Sequence, residues 1–242
     1  MTSEPMSETD PRQSRVDPDP RLRAIAVTVG VLTAGWVSFL RTSESGDNTF
    51  PVGAALLALV PALLAALPFA LPTRLRPAAD TTVAILVTVY SGATFPATGL
   101  HYVPMDLLLW AAAIVPWRQR RRRGPLAVRL WHFTAGLLVA LPGLASVGAV
   151  GQDMIPVLSL AALLYIAGPV TLGVLCAFQI RAAYGVIALL GTVSMISALL
   201  DAGFLFAAFW WFGGLYLTIG AVGWVTTPAH TRHPSPVADA TA

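Results

Sequence analysis

The residues best equipped for chemistry lie in His101-Tyr102-Val103-Pro104-Met105-Asp106. An imidazole, a phenol and a carboxylate share this short stretch with a proline that breaks helices. His101 and Asp106 are the candidate acid and base of a membrane-embedded enzyme acting on a lipid or isoprenoid. With Tyr102 and Asp201 they could instead form an ion or solute site. The competing reading is ordinary interfacial residues, with aromatic anchors and acids near helix N-termini.

Hydroxyl side chains add a second pattern. Thr81, Ala84, Thr88, Ser91, Thr94 and Thr98 recur every three or four residues, which puts them on one helical face. Tyr184, Gly191, Ser194, Ala198 and Asp201 make a similar stripe later in the chain. Thr88, Ser91, Thr94, Ser194 and Asp201 are therefore candidate ligand-binding residues along a polar passage. The same pattern also serves helix packing, where small residues allow close approach and hydroxyls bond across.

Several chemistries are excluded by composition. The chain has no lysine, so no side-chain Schiff base can form. Cys176 is the one cysteine, which removes internal disulfides, CxxC motifs and multi-cysteine metal sites. His101 and His132 fall on opposite membrane faces and cannot share a metal or haem. No cofactor and no metal are expected.

These residues need elements to hold them, and composition says which kind. Only 11% of the residues are charged and 56% are hydrophobic, with a mean hydropathy of +0.70; a soluble domain carries about 25% charge. The expected fold is all-α, a polytopic membrane helix bundle. Its eight spans are expected at about 24–40, 51–71, 81–99, 102–117, 130–150, 156–180, 182–200 and 203–225. The fourth is short if it begins at Pro104, so it either starts earlier or Gly99–Pro104 dips into the membrane. Residues 1–20 and 226–242 are polar and proline-containing and read as disordered tails. No charge is expected within a span.

Arg118, Arg120, Arg121, Arg122 and Arg123 divide residues 21–225 into two four-helix halves, 21–117 and 125–225, joined by a basic loop at 118–124. With the N- and C-termini cytoplasmic, every arginine except Arg41 lies inside, as the positive-inside rule requires. The run is then a topology mark at anionic lipid headgroups of the inner face. Both halves place an Asp at the start of their fourth helix, which raises a parallel repeat as a possibility.

The stretch Ala66-Leu67-Pro68-Phe69-Ala70-Leu71-Pro72 followed by arginines, with Gly99-Leu100-His101-Tyr102-Val103-Pro104 opening an apolar helix, resembles uncharacterised four-helix integral-membrane modules of high-GC bacteria. The resemblance covers residues 51–117 and brings no functional residue with it. The chain is expected in the cell membrane, as a scaffold or as the membrane subunit of a larger assembly. The alternatives are a small-solute or lipophile transporter and the lipid or isoprenoid enzyme above. Expected partners are the bilayer, anionic headgroups and a protein subunit, with no nucleic acid.

Overall fold

The computed structural model describes residues 20–45, 52–95, 98–120, 125–151, 160–200 and 206–227. Both tails, Arg121–Arg123, Asp153 and Asp201 lie outside these residues. So do the side chains of Arg118 and Arg120, which end the fourth helix. The described residues form eight α-helices and no strand: α1 (Pro20–Ser45), α2 (Val52–Ala70), α3 (Arg76–Ala93), α4 (Val103–Arg120), α5 (Pro125–Gly151), α6 (Leu160–Ala177), α7 (Arg181–Leu200) and α8 (Phe206–Thr226).

Local sequence accounts for the helix ends. Pro20, Pro77 and Pro125 lie in the first turns of α1, α3 and α5, where a missing N–H costs nothing and the fixed φ is already helical. The α6–α7 turn closes through Gln179, which has φ 61°. There the Gln179 N–H bonds the Cys176 carbonyl at 2.9 Å and the Ile180 N–H bonds that of Leu175 at 3.1 Å. These bonds satisfy two of the carbonyls that a helix end leaves open.

Among the described residues six helices are long and apolar enough to cross a membrane: Pro20–Leu40, Val52–Ala70, Gly99–Pro116, Leu126–Val147, Arg181–Leu200 and Ala208–Thr226. For the other two, α3 and α6, spanning length is not shown among the described residues. The third helix starts before 81 and stops at Ala93, taking in Arg76 and Asp80, which lower its hydropathy. The apolar run found in α6, Ile166–Ala177, is shorter than the rest. The fourth span starts earlier than Pro104. A 3₁₀ turn at Gly99–Tyr102 leads straight into α4, so the chain is helical from Gly99 onward.

Helices α1 to α4 form a closed ring in which each packs on the next and α4 returns to α1. Val87, Met105, Leu108, Leu109 and Ala26 fill its centre. Helices α5 and α6 form one hairpin, α7 and α8 another, and α8 lies along α4. A smaller core of Val139, Cys176, Tyr184, Ile187 and Ile219 joins α5 to α8. Leu, Val and Phe side chains on the outside stay uncovered, among them Leu32, Leu63, Val89, Leu130 and Leu189. Such a surface suits hydrocarbon rather than water.

Candidate functional site

The start of α4 is tied from three sides. Gly99 sits on the backbone of α3, where a Cβ at that position would overlap the Ser91 carbonyl. The Tyr102 hydroxyl, fully buried, donates to the Ala58 carbonyl of α2 at 2.5 Å. The Trp210 indole of α8 donates to the His101 carbonyl at 2.9 Å. Behind these contacts Pro104 rests on Gly214, where an added Cβ would stand 2.6 Å from the proline ring. Few parts of this chain are held so firmly, and Asp106 lies in the first turn that follows.

Helix α3 brings Ser91 to Asp106. Ser91 is 7% exposed, and its Oγ faces the carboxylate without reaching hydrogen-bond geometry. Asp106 Oδ1 is itself buried and has no hydrogen-bond partner among the described residues. His101 contributes its backbone carbonyl to the Trp210 indole.

The other hydroxyls of the stripe are already engaged. Thr88 donates to its own-helix carbonyl at Ala84 (2.8 Å) and accepts the Trp110 indole N–H (3.0 Å), which ties α3 to α4. Thr94 donates to the Tyr90 carbonyl at 2.9 Å. The Tyr90 hydroxyl in turn reaches the Leu57 carbonyl of α2 at 3.1 Å, and its ring meets Tyr102 edge-on. Ser194 on α7 donates to the Phe209 carbonyl of α8 at 2.9 Å. Tyr184 faces a third environment: its hydroxyl lies 2.5 Å from His132 Nδ1 and donates to the Cys176 carbonyl at 3.2 Å. A phenol has one proton, so that pairing requires His132 to carry its own on Nδ1. His132 and His101 do not share a site.

The opposite end holds a feature that sequence reasoning missed. Arg23 and Asp80 are 2% and 4% exposed, and they pair through two hydrogen bonds. Nε donates to Oδ1 at 2.8 Å and Nη2 to Oδ2 at 2.5 Å. The guanidinium also lies 5.1 Å from the centre of the Phe69 ring. Both residues stand near helix starts, just outside the expected spans, and the fold buries them. Arg23 does not extend to headgroups as a plain topology mark, because Asp80 and Phe69 hold it inside. The available signal was charge placement: of the acids within 21–225, Asp80 alone falls at the arginine-rich helix ends. At that same end Arg181 lies over Trp224, 4.5 Å from its ring centre.

Among the described residues no group of three or more His, Cys, Asp or Glu could hold a metal ion. Comparison with protein-family models, with curated proteins and with solved structures gave no match.

Proposed function

We propose that this is a multi-pass membrane protein that acts as a scaffold, or as the membrane subunit of a larger assembly, and not as a conduit. The observation that carries this reading is the use made of the hydroxyl stripes. Thr88, Thr94 and Ser194 each donate to a backbone carbonyl, and Thr88 also receives Trp110. The Thr88–Trp110 and Ser194–Phe209 bonds join neighbouring helices, and groups committed in this way are not free to replace the hydration shell of a passing solute. The apolar outer surface and the six helices of spanning length supply the membrane part of the reading.

Within this proposal all eight helices cross the cell membrane and both termini are cytoplasmic. Arg21, Arg23, Arg76 and Arg181 stand at the starts of α1, α3 and α7, and Arg118 and Arg120 at the end of α4. In an up-and-down bundle these ends share one face, which the positive-inside rule assigns to the cytoplasm. Anionic headgroups would gather there.

One reconstitution tests both parts. The full chain goes into vesicles loaded with small neutral and charged solutes, and reporter fusions in the 118–124 loop fix the orientation in cells. Solute release at the level of empty vesicles and a cytoplasmic reporter are expected. Release above that level, reduced by Thr88→Leu and Ser91→Ala, would establish the transporter reading instead. A reporter active on the far side would reverse the topology.

A further inference from the structure

Two carboxylates are treated differently: Asp80 is buried, and Asp106 is half-buried with its Oδ1 out of reach of water. Asp80 has a guanidinium on both its oxygens. Asp106 has none: the one ion pair among the described residues is that of Arg23 with Asp80. Asp106 Oδ1 is buried without a donor, and Ser91 Oγ, more than nine-tenths buried, faces it equally unpartnered. A carboxylate oxygen buried without a donor carries a desolvation cost.

We propose that the Asp106 carboxyl, with Ser91 against it, is a proton-binding site of the folded bundle. One proton from the aqueous phase converts the carboxylate to the neutral acid, and no other group changes. The acid then has an O–H to donate towards Ser91 Oγ, so a single binding event supplies both orphaned oxygens with a partner.

The elements packed on α4 are α1, α3, α8 and the 3₁₀ turn. From α3 come Ser91 and Tyr90, and the tyrosine hydroxyl is spent on the Leu57 carbonyl. The 3₁₀ turn brings His101 and Tyr102, the latter spent on Ala58. Between Ala24 and Leu40, α1 has no titratable residue, and the side chains of Arg41 and Glu44, which follow on the same helix, lie outside the described residues. On α8 the one such residue, Tyr216, donates to the Val139 carbonyl at 2.6 Å. Arg76 and Asp80 lie at the far end of α3, about 22 Å and about 16 Å from Ser91 at about 1.5 Å per residue. A helix N-terminus would favour the ionised form. Here the 3₁₀ turn extends the helical segment back to Gly99, which moves the free amide groups a turn away from Asp106. A sodium ion would need several more oxygens, whereas a proton needs one.

Infrared spectroscopy of the full chain in lipid nanodiscs reads this directly, since a neutral carboxylic C=O absorbs apart from carboxylate. At about pH 5, where ordinary aspartates with a pKa near 3.9 remain largely ionised, a neutral carboxylic band is expected. It should vanish in Asp106→Asn, and it should shift in Asp106→Glu and in Ser91→Ala. If Asp106→Asn does not fold, the Glu variant makes the assignment, because it keeps the acid and moves the band. Three results would overturn the site: no such band in the unsubstituted protein, a band unmoved by Asp106→Glu, or a band removed by exchanging choline for sodium at constant pH.

Discussion

The two parts of this molecule solve the same packing problem by different means. In the ring of α1 to α4 the helices are joined by side chains that reach across: Arg23 to Asp80, Tyr90 to Leu57, Tyr102 to Ala58 and Trp110 to Thr88. Gly35, Gly53 and Gly92 in these helices face open space. In the hairpins α5–α6 and α7–α8 the backbones themselves meet. A Cβ on Gly136 would stand 2.4 Å from the Gly173 carbonyl, and one on Gly191 2.5 Å from that of Gly213. Where no water drives helices together, association depends on van der Waals fit and on interhelical hydrogen bonds. The ring relies more on the second and the hairpins more on the first. Directional bonds fix register, while glycine contacts fix distance.

The largest effect should come from breaking the ring at its ion pair. Asp80→Ala leaves the Arg23 guanidinium buried and uncompensated, at a cost of about 3–5 kcal/mol. Denaturant or thermal unfolding in detergent, followed by tryptophan fluorescence, would measure it. Replacing both partners together, as in Arg23→Met with Asp80→Leu, should recover most of that loss, since the penalty belongs to the unpaired charge. If Asp80→Ala alone were neutral, the pair would not hold α1 to α3, and the ring would have no special polar tie.

The Arg23–Asp80 pair also shows where sequence reading stops. The existence and order of the helices were legible, because long apolar runs between arginines and prolines leave few alternatives. The early start of the fourth span was one of two options, and the 3₁₀ turn at Gly99–Tyr102 decides between them. The partner of Asp80 was not legible, since the two residues lie 57 positions apart. Nor could the stripes be assigned: spacing puts Thr88, Ser91 and Thr94 on one face, but only the fold shows which hydroxyls are spent on carbonyls. His101 and Asp106 share a stretch of sequence, yet the carboxylate is met by Ser91 from α3.

One substitution made in both parts should give opposite results. Gly191→Ala forces a methyl into the Leu217 backbone and the Gly213 carbonyl, 2.4 and 2.5 Å away. Overpacking of this kind costs about 1–3 kcal/mol. Gly35→Ala meets nothing within 4 Å, so the same change should stabilise α1 by about 1 kcal/mol, the difference in helix propensity. Paired unfolding curves would test the contrast. Equal effects at both sites would mean that the hairpins have room to separate, and the distinction drawn from backbone distance would fail.

The smallest effect concerns the hydroxyls, and it bears most directly on function. Thr88→Val keeps the shape of the side chain and removes the acceptor for the Trp110 indole. Interhelical hydrogen bonds in membranes average about 0.6 kcal/mol, so unfolding should shift only slightly, and the Trp110 emission should change with it. Ser194→Ala, which frees the Phe209 carbonyl on the hairpin side, should cost a similar amount. The two losses should add, since the sites belong to separate helix pairs. A transport role predicts another pattern: stability nearly untouched and solute flux altered by Thr88→Val alone. A packing role makes both substitutions equivalent and leaves flux at background, because each hydroxyl then does no more than join its helix to the next.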